Sequence, residues 1–180
     1  MTDRDPYQDL LDESRHREAL EERARERWLE SQLREDARFV GTLTDLAEQG
    51  VVVTLRTGSG ATHQGWLSAV GIDHVVLRAP SGHLTYVALD AVTDVRPEPD
   101  VRHEAAAGDR DPALDRTLAE VLARVVHERP RIHLRVRGDA DGIAGQLCGV
   151  GRDVLSLRLD GGRGTSYVSL TAITELAFVS

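Results

Sequence analysis

Lysine and asparagine are absent from this 180-residue chain, so all 22 of its cationic side chains are arginines. Chemistry that needs a lysine amine or an asparagine amide is thereby excluded. Both residues use A-rich codons, and a bias toward GC-rich triplets accounts for the two absences together. Aromatic residues make up only 4% against a hydrophobic fraction of 41%, so any core must be filled by Val, Leu, Ile and Ala. The one cysteine, Cys148, has no partner for an intramolecular disulfide, and no Cys/His spacing resembles a zinc site. No run approaches the ~18 consecutive apolar residues of a membrane span. The acidic N-terminus MTDRDPYQDLLDESRHREAL has no apolar signal core. These absences lead to the expectation of a cytoplasmic protein with no membrane association.

Motifs of catalysis are missing as well. There is no Ser/His/Asp series, no phosphate-binding glycine loop and no dinucleotide fingerprint after a strand. The chain is therefore expected not to be an enzyme, and no cofactor or metal is implied. His63, His74 and His83 share one stretch without ligand spacing and read as surface or turn residues. Cys148 reads as a packed thiol rather than a nucleophile. Asp73 and Asp153 read as turn residues that hydrogen-bond their own backbone.

What the chain does contain is charge, unevenly placed. Its 30 acidic residues against 22 arginines give a net charge of −8, which argues against tight, charge-driven binding of nucleic acid by the whole molecule. Residues 1–50 hold 8 Arg and 14 acids, whereas residues 117–180 hold eight Arg and seven acids. Residues 7–38 are dense in Glu and Arg, with Leu20, Ala24, Trp28, Leu29, Leu33 and Ala37 at helical spacing and no Gly or Pro from Tyr7 to Val40. This pattern predicts one helix of roughly 30 residues, about 45 Å long. Its narrow apolar stripe should dock on a protein partner or on a second copy. Leu20, Ala24, Trp28, Leu29 and Leu33 are the candidate partner-helix face.

Beyond residue 38 the sequence repeats itself. GWLSAVGIDHVVLR (Gly65–Arg78) matches GQLCGVGRDVLSLR (Gly145–Arg158), and YVALDAVTDV (Tyr86–Val95) matches YVSLTAITEL (Tyr167–Leu176) after a one-residue insertion. Identities at Gly65/Gly145, Leu67/Leu147, Asp73/Asp153, Tyr86/Tyr167 and Leu89/Leu170 mark a tandem duplication. Each repeat opens with a helix pattern. Phe39, Val40, Leu43, Leu46 and Ala47 line the first, with Gly50 as its cap, and Leu118, Val121, Leu122, Val125 and Val126 line the second, stopped by Pro130. Short alternating runs follow. Val51, Val53 and Leu55 alternate in the first repeat, and Ile132, Leu134 and Val136 alternate against Arg131, His133, Arg135 and Arg137 in the second.

Five short strands in about 60 residues suggest a sheet closed into a barrel, which removes exposed edges. The order V-x-L, Gly-x-Leu, Asp, V-x-L and Y-V-x-L-x-A resembles the Sm-like small barrel, as in the bacterial Hfq riboregulator. It is also similar to actinobacterial proteins with an Arg/Glu-rich N-terminal helix before such a barrel. The resemblance implies a mainly β architecture with helices (α+β): a charged amphipathic helix at 1–38, a five-stranded Sm-like or SH3-like barrel at 39–97, an acidic linker at 98–114 and a second barrel at 115–180, each barrel preceded by a helix. It also implies RNA binding and ring oligomers, but the residues of the RNA pocket do not carry over. The chain has no Asn, its Tyr-Val blocks contain no Arg-Gly pair, and Val87 and Val168 stand where Hfq has Lys-His.

Arg131, Arg135 and Arg137 project from one face of a strand and form the candidate phosphate-binding strip. The reading the sequence supports best is a non-catalytic regulatory or scaffolding protein acting by protein–protein interaction or self-assembly. The alternative is an RNA- or DNA-binding regulator that uses this Arg strip.

Overall fold

A computed structural model describes residues 22, 23, 25, 38–99, 108, 110–139, 141–162 and 164–179. Helix α1 (Phe39–Gln49) buries Leu43 and Leu46 and ends at Gly50, whose φ of 63° places it in the left-handed region that glycine tolerates. Strands β1 (Val52–Thr57), β2 (Thr62–Val70), β3 (His74–Arg78), β4 (Leu84–Ala88) and β5 (Val92–Pro97) complete the first half. The second half repeats the order with α2 (Leu118–Val125), β6 (Arg131–Val136), β7 (Ile143–Val150), β8 (Val154–Leu159), β9 (Thr165–Ser169) and β10 (Ile173–Phe178).

Alternation explains the strands. Val53 and Leu55 in β1, and Ile132 and Leu134 in β6, are fully buried, while Arg56 and Arg131 face solvent. Gly65 and Gly145 recur where β2 meets β3 and β7 meets β8; a Cβ at either position would collide with the carbonyl of Arg78 or Arg158. Each half has its own aliphatic core. Leu43, Leu55, Leu77 and Val87 belong to one, and Leu122, Leu134, Leu157 and Leu176 to the other. Burying each such side chain contributes about 1.5–3 kcal/mol.

The two halves are not closed barrels. All ten strands form one open antiparallel sheet in the order β5-β1-β2-β3-β4-β10-β6-β7-β8-β9. Within each half the last two strands do not pair. A single 3₁₀ turn, Leu89–Ala91 or Leu170–Ala172, instead carries the chain across to the first strand of its own half. There the amide of Gly58 donates to Ala91 and that of Arg137 to Ala172. The edge of β4, which a barrel would have closed internally, is taken by β10 through the pairs Val87↔Glu175, Tyr86↔Leu176 and Thr85↔Ala177. Register shifts recur at equivalent places, between Leu67 and Ala69 and between Leu147 and Gly149. Such bulges bend and twist a strand, which lets each half curl over its core while the sheet stays open.

The expected pair of closed five-stranded barrels is thus overturned by one open sheet, and the long helix expected at 1–38 lies, apart from Glu22, Arg23, Arg25 and Arg38, outside the described residues. Helix among the described residues is confined to two short segments and single turns, apart from Glu22, Arg23 and Arg25, which are helical and exposed. The candidate face of Leu20, Ala24, Trp28, Leu29 and Leu33 lies outside the described residues. No helix among the described residues is long and apolar enough to cross a membrane.

Candidate interaction seam

Where β4 meets β10 the two halves share more than a ladder. Tyr86 of β4 stands edge-on to Phe178 of β10, ring centroids 5.6 Å apart at 82°, a favoured aromatic geometry. On β10 the Glu175 side chain is buried and gathers groups from both halves. Its Oε1 accepts from the Thr57 hydroxyl at 3.1 Å, and its Oε2 lies 3.2 Å from His63 Nε2 and 3.7 Å from Arg135. Burial pushes the Glu175 carboxyl up. His63, the Thr57 hydroxyl and Arg135 outweigh that effect and hold it below the usual carboxylate range.

A second join runs through the segment before α2. The amide of Leu114 donates to Val70 at 2.9 Å and that of Ile72 to Arg116 at 3.0 Å, tying this segment to the β2–β3 turn. Asp73 in that turn accepts the Leu118 amide on its Oδ1 at 2.8 Å, so a residue of the first half caps the helix of the second. Thr117 and Glu120 complete the cap as a reciprocal box. The backbone and hydroxyl hydrogen bonds from Thr117 hold the Glu120 carboxyl below its ordinary range. The spacing Thr117-x-x-Glu120 is a signal from which this box could have been found. Asp73 therefore does not close its own turn with its side chain. It reaches a helix 45 residues on.

The candidate phosphate strip is internally matched. Arg131 contacts Asp160 through Nε at 3.0 Å and Nη2 at 2.6 Å, Arg135 faces Glu175, and Arg137 reaches Asp90 of the first half at 2.8 Å. Each guanidinium that the alternation pattern singled out faces a carboxylate distant in sequence. The Arg131 and Arg137 pairs are exposed, so each contributes little to stability, and with the buried Glu175 on Arg135 the three carboxylates cancel the local positive field that phosphate would need.

Other candidates take different places from those expected. His74 is not a surface residue; it is 0% exposed, with Nδ1 3.0 Å from Asp73 Oδ1 and Nε2 without a hydrogen-bond partner among the described residues. Asp73 keeps about half of its side chain exposed, while the His74 ring beside it is sealed from solvent. His83 is exposed, as expected of a surface histidine, but Cys148 is exposed rather than packed. No group of three metal-ligating side chains occurs among the described residues. A groove of about 500 Å³ lies between the halves, lined by Asp73, Leu89, Asp90, Leu118, Arg152 and Asp153 among others.

The seam uses up two sheet edges and leaves two. Strands β5 and β9 end the sheet, each paired on one side only. On β9 the Leu170 amide donates to Asp153, and Gly164 accepts from Leu159. Even-numbered positions therefore bond to β8, and Tyr167 presents its amide and carbonyl to the open edge. The Tyr167 residue is 75% exposed, whereas Tyr86, its repeat counterpart, packs on Phe178. On β5 the Glu98 amide donates to Val52, which leaves Val95 facing outward in the same sense. Periodicity alone could not reveal these edges, because a strand's alternation is the same whether one neighbour or two pair with it. Comparison of the chain with protein-family models, with curated proteins and with solved structures gave no match.

Proposed function

We propose that this is a non-catalytic scaffolding protein that assembles with protein through its open sheet edges, its preferred partner being another copy of itself. The observation that carries this reading is the β4–β10 seam: one edge-to-edge join already sits inside the chain, and the repeat places a second pair of equivalent edges at its two ends. Val95 corresponds to Leu176 and Tyr167 to Tyr86, so β9 of one copy against β5 of the next reuses the internal register. Pro97, which has no amide to give, corresponds to Phe178, just beyond the paired residues. Such a contact is head-to-tail, and it propagates until a ring closes or a filament forms. The Sm-like resemblance of the repeated Tyr-Val-x-Leu-x-Ala blocks is part of the proposal as a statement of ancestry, without the RNA pocket. The carboxylates on Arg131, Arg135 and Arg137 count against phosphate binding there.

Sedimentation velocity tests the reading. The wild-type chain is expected to sediment as a concentration-dependent oligomer. Tyr167→Pro removes the outward amide of β9 without touching the β8 ladder, so it should return the protein to a monomer. A wild-type chain that stays monomeric across the accessible concentration range would overturn the proposal.

A further inference from the structure

The repeat extends to the helices. Gly50 and Arg129 are the left-handed residues that follow α1 and α2, and Leu43 and Leu122 are both fully buried. This alignment sets Arg38 against Thr117, both N-caps, and Phe39 against Leu118. The surroundings of the two helix starts differ sharply. Leu118 is 6% exposed and its amide is held by Asp73, but Phe39 is 44% exposed and α1 has no side-chain cap. The mirror-image deficit lies in the second half. Asp153 repeats Asp73, yet its carboxylate has no hydrogen bond or ion pair among the described residues. Val154, which repeats the fully buried His74, is 37% exposed. One end of the molecule thus has a helix start without its acceptor, and the other end has the acceptor without its helix.

We infer that a second copy of this chain docks the start of its α1 on the Asp153–Val154 turn, with its Phe39 amide on the Asp153 carboxylate and Arg38 beside it. This inference rests on the self-assembly reading and specifies which surface beyond the strand edges the copies use. Charge is complementary: Arg38 is exposed, the first turn of α1 holds no acid to repel Asp153, and a carboxylate at a helix N-terminus is favoured. Phe39 then meets the exposed turn in the way that Leu118 meets Asp73. The polar cluster of the internal seam is not reproduced. Val136 and Ile143 stand where Thr57 and His63 would be, so the contact between copies is more apolar than the one within the chain.

The experiment compares full-length wild type, Asp153→Arg, Arg38→Asp, the double exchange, Phe39→Ser and Tyr167→Pro by sedimentation equilibrium. Among the described residues the Asp153 side chain bonds nothing, and the Arg38 side chain meets Asp111 in an exposed ion pair at 3.3 Å, so both charge variants are expected to fold. Circular dichroism checks this. Each single charge variant is expected to weaken association about tenfold, with the double exchange recovering most of the loss; Phe39→Ser should weaken it without rescue. If wild type assembles and Tyr167→Pro dissociates it, while Asp153→Arg and Phe39→Ser leave the distribution unchanged, the docking is rejected and edge assembly stands. A double exchange no better than the single variants would also reject the Arg38–Asp153 contact. A monomeric wild type removes both.

Discussion

Glu175 shows how one side chain binds the halves together. It sits on β10, but Thr57 and His63 come from the first half, and only Arg135 comes from its own half. Because its folded pKa lies below the unfolded value, it contributes stability that is present above the unfolded pKa and is lost as pH falls through the folded pKa. Equilibrium unfolding by urea should therefore weaken progressively once pH drops below the ordinary carboxylate range. Glu175→Gln should cost about 1–3 kcal/mol at neutral pH and flatten that acid limb. An unchanged acid limb in the variant would assign the pH dependence to other carboxylates. Nothing near Glu175 in sequence announces this role: its repeat counterpart Asp94 lies on the open edge strand and pairs with Arg96, two residues away, at 2.7 Å. Likewise Asp160 and Asp90, which neutralise Arg131 and Arg137, are remote along the chain and adjacent only once the sheet has formed.

Among the elements, the two helices are versions of one design with different endings. Gly50 and Arg129 both adopt left-handed backbone, at φ 63° and φ 51°, but only the first is a glycine. A side chain in that region costs roughly 1–2 kcal/mol, so Arg129→Gly should raise thermal stability by about 1 kcal/mol after the lost unfolded-state restriction is set against it. A melting temperature lowered by this change would mean that the Arg129 side chain makes up for its backbone. Helices and strands were the legible part of the sequence. The stripe Leu118, Leu122 and Val125 fixed α2, and the alternation of Ile132 and Leu134 fixed the inward face of β6. Pairing between elements was not legible in the same way. Closing β4 on β5, or joining β4 to β10, satisfies the same local pattern and differs only in which edge is reached after the turn at Leu89–Ala91. The duplicated tyrosines do not reveal the seam either, since repeated strands such as β1 and β6 or β3 and β8 are both internal to the same sheet.

For the whole molecule, the joins make one cooperative body from two cores. The first half caps α2 through Asp73, the second half covers β4, and Arg137 reaches across to Asp90. Heating should therefore produce a single transition whose calorimetric and van't Hoff enthalpies agree; two resolved transitions would show that the halves stand independently. The seam also has a consequence during synthesis. Strand β4 leaves the ribosome long before β10 exists, and at ordinary translation rates the wait is about 5–20 s. Throughout that interval the first half can collapse over Leu43, Leu55 and Leu77 while the edge around Tyr86 stays open. On a crowded polysome, a completed β10 from a neighbouring nascent chain can reach this edge before the chain's own does. The strand that stitches the finished protein together is thus also the one most readily exchanged between two chains still being made.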